Sequence, residues 1–169
     1  MASQITLKNN IINLSNNLIT TNLGESSISL LIEKTKDEWS TAIANYLSEV
    51  IVAGYQTILT EETIKVAAYG GLTLLGTTTS LTSFVEVLLL GMDAAHSAIA
   101  LAATTGATVA TPPAATIINR TTAATSLITL MSVQINDPEI FAQGVSLILD
   151  TYTKTGISVI GSAAPVNWI

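Results

Sequence analysis

The sequence predicts an all-α fold, a bundle of five or six helices joined by Thr-, Gly- and Pro-rich loops. Two patterns carry that prediction. Apolar residues recur at alternating three- and four-residue spacing, the period of one helix face, and Thr, Ser or Asp followed by acidic residues marks helix starts at several points. The 169 residues, 49% of them hydrophobic, suit one core. We read 1–169 as a single helical domain, with 1–34 as an N-terminal helix and its connector and 157–169 as a C-terminal tail, a candidate contact with a neighbour.

The first helix rests on Leu7, Ile11, Leu14 and Leu18, widened by Ile12 and Ile19, with Asn9, Asn10, Asn13, Asn16 and Asn17 on the other side. Gly24 is its expected stop, and Ser26 to Ile32 is an ambiguous apolar segment. Thr35 and Glu38 match a capping box, in which two side chains satisfy free amides of the first turn. Behind it Trp39, Ile43, Tyr46, Leu47, Val50 and Ile51 form one stripe reaching toward Gly54. Thr60-Glu61-Glu62 starts the next helix, its acids favourable at the positive end of the helix dipole, and Gly70-Gly71 should end it. The Thr-rich stretch to Ser80 reads as a loop.

Ser83 with Glu86 is a further candidate capping box. From Phe84 to Ala103 apolar residues surround the helix, which therefore should be buried all round. Thr104 to Pro113 breaks the pattern, and Pro112-Pro113 permits a new start at Ala114. That helix should turn Ile117, Ile118, Leu127, Ile128, Leu130 and Met131 inward. Asp137 as cap and Pro138 at the first helical position open the last helix, with Phe141, Val145, Ile148 and Tyr152 inward. At an offset of 102 residues Asp37, Trp39, Ile43, Leu47, Val50 and Gly54 align with Glu139, Phe141, Val145, Leu149, Tyr152 and Gly156. A pseudo-twofold repeat is the consequence to test.

Charge narrows the function classes. Only 11% of residues are charged, six basic and twelve acidic for a net −6, against about 25% in an average soluble protein. Nine acids sit near helix starts or in the first third, at Glu25, Glu33, Asp37, Glu38, Glu49, Glu61, Glu62, Asp137 and Glu139. From Val66 to Asn136 only Glu86, Asp93 and Arg120 are charged. This middle should hold the buried core and the subunit contacts, with the hydroxyls of 25 Thr residues solvating part of the surface. The low charge and high apolar content exclude disorder, the acidic balance disfavours nucleic acid, and the absence of Cys excludes disulfides and Cys-based zinc sites.

Residues 66–85 and 94–119 are long enough to span a bilayer. Gly, Thr and Pro interrupt them, Glu86 and Asp93 fall in or between their most apolar parts, and no Lys or Arg cluster flanks either. No membrane association is expected. Met1 to Lys8 shows no basic stretch followed by an apolar block, so no signal peptide is expected either.

The layout resembles that of small virion proteins of tailed bacteriophages. The residues that carry the resemblance are the opening helix Leu7 to Leu18, the acid-Trp helix Asp37 to Tyr46 and the Ala/Thr/Gly/Pro-rich Gly106 to Pro113. Phe141-Ala142-Gln143 through Leu149 to Gly156 and the β-prone tail Ile157 to Gly161 complete it. The resemblance covers most of the chain and implies a non-enzymatic structural part assembled in many copies, with no catalytic residues to carry over. The chain departs from the pattern in having less Ala and more Ile, Leu and Thr, which leaves its position in the particle open.

Little in the sequence supports catalysis. His96 is the only histidine, Asp93 shares its helical face, and a metal would need a third ligand; a hydrogen-bonded interior His is the simpler reading. No G-x-S-x-G elbow is present, and Gly70-Gly71 to Gly76 lacks the Lys of a phosphate loop. The expectation is no enzyme, no metal and no cofactor. Trp39, Tyr46, Phe84, Phe141 and Tyr152 sit at core spacing.

The tail ends Pro165-Val166-Asn167-Trp168-Ile169. Either Trp168 folds back into its own core, or the tail anchors in a neighbouring subunit. Val166, Trp168 and Ile169 are the candidate interface residues. The sequence therefore points to a homo-oligomeric virion protein of the tail or head-tail neck, assembled in the host cytoplasm with other copies of itself and other virion proteins. A capsid decoration protein and a small membrane protein of the lysis type are the alternatives, with a His96 metalloenzyme more remote.

Overall fold

The computed structural model describes residues 4–22, 28–133, 135 and 137–169. Six α-helices dominate: α1 (Gln4–Asn22), α2 (Ile28–Leu47), α3 (Glu61–Gly71), α4 (Leu81–Ala103), α5 (Ile117–Ser132) and α6 (Pro138–Thr153). Each packs on its sequence neighbour and α6 returns to α1, so the packing order closes on itself. Inside the ring lie Ile43, Tyr46, Leu47, Leu88, Leu89, Met92 and Ile99, all fully buried. The expected all-α bundle of five or six helices is what forms.

Several starts and faces follow the sequence reading. Leu7, Ile11 and Leu14 are buried and Ile12 packs against the core, while Leu18, Ile19 and the Gly24 stop lie outside the residues or side chains described. Thr60 caps α3, its side chain accepting from the Thr63 amide. Asp137 caps α6 by accepting from the amides of Glu139 and Ile140, with Pro138 at the first helical position.

Other boundaries differ, for local reasons. The Thr35–Glu38 capping box does not form, because α2 starts at Ile28 and runs through it. There the Thr35 hydroxyl donates to Leu31 O at 2.8 Å, the i−4 bond of a helix interior. The box at the start of α4 uses Ser80 and Ser83 rather than Ser83 and Glu86, whose carboxylate is engaged elsewhere. The Thr-rich stretch after Gly71 is a 3-10 helix over Leu72–Thr77, and a second short one spans Pro113–Ala115 before α5. Ile117 and Ile118 do not turn inward: they are 80% and 75% exposed, while Leu127 of the same helix is buried. Nor is α4 buried all round, since Leu90 and Leu101 reach solvent. It is, among the described residues, the helix long and apolar enough to cross a membrane, yet more than half of its most apolar window packs inside the fold.

Two small sheets close one end. Strands β1 (Ile51–Val52) and β2 (Tyr55–Gln56) form a hairpin whose two-residue turn places Ala53 and Gly54 at φ 55° and 81°. Consecutive positive φ values match the right-handed strand twist, which is why such turns favour Gly. The Ala53 amide donates to Ser158 Oγ at 3.0 Å. Strands β3 (Thr108–Thr111), β4 (Ile157–Ile160) and β5 (Val166–Asn167) form an antiparallel sheet in the order β3-β4-β5. The outer edge of β3 is covered by its own chain, Thr108 N donating to Thr105 O and Ala110 N to Thr104 Oγ1, which leaves fewer free groups for another strand.

The helices matched at the 102-residue offset, α2 and α6, both pack on α1. Ile43 and Val145, like Leu47 and Leu149, are buried. The aligned glycines part company: Gly54 sits at positive φ in the hairpin, whereas Gly156 lies against the Trp168 ring.

Candidate functional interface

The three charges of the middle segment meet in one cluster. Arg120 on α5 donates from Nε to Asp93 Oδ2 at 2.7 Å and from Nη1 to Glu86 Oε2 at 2.6 Å, both acids being on α4. Tyr152 on α6 donates to the other Asp93 oxygen at 2.5 Å. Burial, then the Asp93 carboxylate, push the Tyr152 phenol far above its ordinary range, so it remains a donor. Seven residues separate Glu86 from Asp93, which puts both on one face of α4. Three helices are thus pinned together, and the charged groups of residues 66–136 pair with one another.

The hydroxyls nearby behave in a related way. On α5 Thr122 donates to Ile118 O, Thr129 to Thr125 O and Ser132 to Thr129 O, each at 2.8 Å. Thr104 at the end of α4 donates to Ala100 O at 2.8 Å. A hydroxyl that bonds its own helix has spent its donor, though it still accepts from water, and the Thr methyls beside it add to the apolar surface. The expected solvation by Thr is correspondingly reduced.

Apolar residues also stand on the outside. Leu101, Val109, Ile117, Ile118, Val133 and Leu147 are each at least 53% exposed. Between α5 and α6 runs a groove of about 320 Å³ lined by Asn119, Thr122, Ala123, Ser126, Leu147, Ile148, Thr151, Tyr152 and Thr155, none of them charged. Tyr152, one of its lining residues, is held by its bond to Asp93.

The tail residues divide. Trp168 is fully buried in its own chain, with its ring 2.5 Å from where a Cβ on Gly156 would sit. Its amide donates to Gly156 O at 2.9 Å, and its ring meets His96 edge-on at 5.9 Å between centroids. Of the two arrangements read from the sequence, this is the fold-back. Ile169 exchanges two backbone hydrogen bonds with Ile51, bridging the two sheets, and keeps 44% exposure; Val166 keeps 58%.

His96 is fully buried, its Nε2 lying 3.0 Å from Thr153 Oγ1. Because that hydroxyl donates to Leu149 O, Nε2 carries the ring proton and Nδ1 is left as an acceptor without a partner. Burial drives the imidazole pKa down to about 3, so it is neutral at ordinary pH. Asp93 turns away from it toward Tyr152 and Arg120, and no metal-ligand cluster exists among the described residues. A second buried pair joins Tyr46 to Asp150 at 2.8 Å, with Lys154 on the other Asp150 oxygen, also at 2.8 Å. Neither group lines the α5–α6 groove.

Comparison with protein-family models, curated proteins and solved structures gives no match.

Proposed function

We propose that this chain is a structural, non-enzymatic virion protein of a tailed bacteriophage, assembled in multiple copies in the tail or the head-tail neck. The observation that carries the assembly reading is the charge-poor, partly apolar face of α4, α5 and the sheet. Its few charges pair internally, and the hydroxyls of Thr122, Thr129 and Ser132 bond back to their own helix. Such a face meets another protein without the desolvation cost that buried Lys or Glu would impose. Repetition over many copies then multiplies modest contacts into a stable assembly. The phage setting rests on the layout resemblance described above.

The test is quantitative mass spectrometry of purified particles, with copy number measured against the major capsid protein. A multiple of six or twelve supports the tail or neck; a count in the hundreds replaces it with a decoration role on the capsid. Absence from particles overturns the virion reading. If the chain instead partitions with membranes, the lysis-type alternative takes its place.

A further inference from the structure

We propose that residues 166–169 are an exchangeable docking strand: in the assembly they leave the Gly156 slot of their own copy and fill the same slot of a neighbouring copy. This deepens the multi-copy reading given above and rests on it.

The slot is specific for this segment. Gly156 has no side chain, and the Trp168 ring occupies the space that a Cβ there would need. The ring is fully buried, with His96 edge-on to it. Around it the contacts are made by backbone. Trp168 N donates to Gly156 O at 2.9 Å, Ile51 N to Ile169 O at 2.7 Å and Ile169 N to Ile51 O at 3.2 Å, while Val166 and Asn167 pair with Ser158 and Ile157 of β4. Main-chain bonds give an added strand its affinity, and a pocket for a side chain gives it specificity. Each of these contacts is the same whichever copy donates the strand, which makes exchange of an identical element a low-cost route to assembly. A second copy is therefore the occupant that the slot already fits, in side chain and in backbone register.

The connection permits the exchange. Residues 162–165 join β4 to β5 and are exposed. Gly161 N is held to Ala107 O at 2.7 Å, and beyond it one backbone bond, Ala163 N to Ile160 O at 3.0 Å, closes the turn. Pro165 fixes its own φ and favours an extended Ala164, so opening about Ser162 gives an extended link of four residues that reaches about 13 Å. Opening loses the turn bond, and exchange covers apolar surface beside the hinge. Ile160 and Val166 are 46% and 58% exposed. Both lie on the Ser158 face of the sheet, Ile160 two residues further along β4 and Val166 opposite Ser158. In a reciprocal exchange the two chains cross at the hinge, which brings these residues of both copies together about the twofold axis.

Ile157 and Asn167, both exposed, stand opposite each other on β4 and β5. Because the neighbouring Gly156–Trp168 pair is hydrogen-bonded, theirs is the kind of pair whose side chains come closest, and the chain contains no cysteine to interfere. Ile157→Cys and Asn167→Cys are prepared as full-length single variants, checked for an unchanged thermal melt, mixed in urea, refolded together and oxidised beside each variant alone. A closed chain keeps its 157–167 pair within one molecule, so its single variants cross-link only by random collision. The expected result is a 157–167 disulfide between copies that forms in the mixture about tenfold faster than either homodimer, since exchange raises the effective thiol concentration. Equal rates overturn the exchange. The double variant gives a second reading on a denaturing, non-reducing gel: covalent dimers or higher multiples are expected, and a covalent monomer as the sole product overturns the proposal. Copy number in particles is independent of both. Many copies per particle with the double variant locked within single chains would retain the virion reading and discard this one; exchange-linked chains that are absent from particles would do the reverse.

Discussion

The first 65 residues and the stretch from 66 to 136 are nearly equal in length but distribute their charges differently. In the first, the ions form separate pairs: Lys65 with Asp37 at 2.7 Å and Lys36 with Glu33 at 2.8 Å, the acids more than half exposed and the Lys36 side chain buried. In the second, Arg120 gathers Glu86 and Asp93 into one cluster, and Asp93 keeps only 14% of its side-chain surface. Large exposed apolar residues follow the same division. Among the described residues, Ile5, Leu30 and Ile58 are the exposed ones before residue 66, whereas Leu74, Leu90, Leu101, Val109, Ile117, Ile118 and Val133 all fall in the later stretch. The comparison teaches that a polar composition does not make a wetted surface: groups that satisfy one another, or their own helix, leave the exterior to methyls.

The largest break comes from the residue that ties the regions together. Trp168→Ala should cost about 3–5 kcal/mol, the range for deleting a fully buried aromatic, read as a lowered midpoint in urea or heat. Removing Val166 to Ile169 should do at least as much, because the two Ile169–Ile51 backbone bonds go too. An unchanged midpoint for Trp168→Ala would mean that the tail is not seated in its own core.

Arg120→Leu should come next, at about 1–3 kcal/mol, since it strands Asp93 in a site largely closed to water. Lys65→Ala removes an ion pair of similar length from an open surface and should cost under about 0.5 kcal/mol. Measured side by side, the two variants test the comparison directly; equal costs would erase it.

An acid effect stands beside these single-site costs and accumulates as the pH is lowered. His96 is neutral in the fold down to a pH of about 3, whereas an unfolded histidine takes up its proton near 6.5. Below 6.5 the unfolded chain therefore binds the extra proton, and stability falls as pH drops, by up to about 1.4 kcal/mol per pH unit until the folded pKa is reached. Above 6.5 the His96 contribution is complete and flat. Urea midpoints from pH 7 to 4 check this, and His96→Leu should flatten that part of the slope.

How much of this was legible beforehand depended on range. Thr60, Asp137 and Pro138 act within one turn, so their roles could be read from adjacent residues, as could the Leu7–Ile11–Leu14 stripe. The local pattern fits both Ser80 and Ser83 at the start of α4, which shifts the expected cap by three residues, and it fits Thr35, which lies inside α2 rather than at its start. Ile117 and Ile118 were assigned to the core on hydrophobicity alone, yet α5 buries Ala123, Ala124 and Leu127 instead. The Arg120 cluster spans 27 and 34 residues of separation, beyond any periodicity. One signal did point to it: a single basic residue within a long neutral stretch whose two acids stand seven apart. The Trp168 slot depended on Gly156, a glycine at which no positive φ marks a turn.

Sedimentation of the full-length chain over a wide concentration range, at low and at high salt, tests the central claim most directly. Assembly through an uncharged face predicts self-association that survives added salt or strengthens with it, since no ion pair across the contact is there to be screened. A monomer at all concentrations, or an oligomer that falls apart as salt rises, would contradict it.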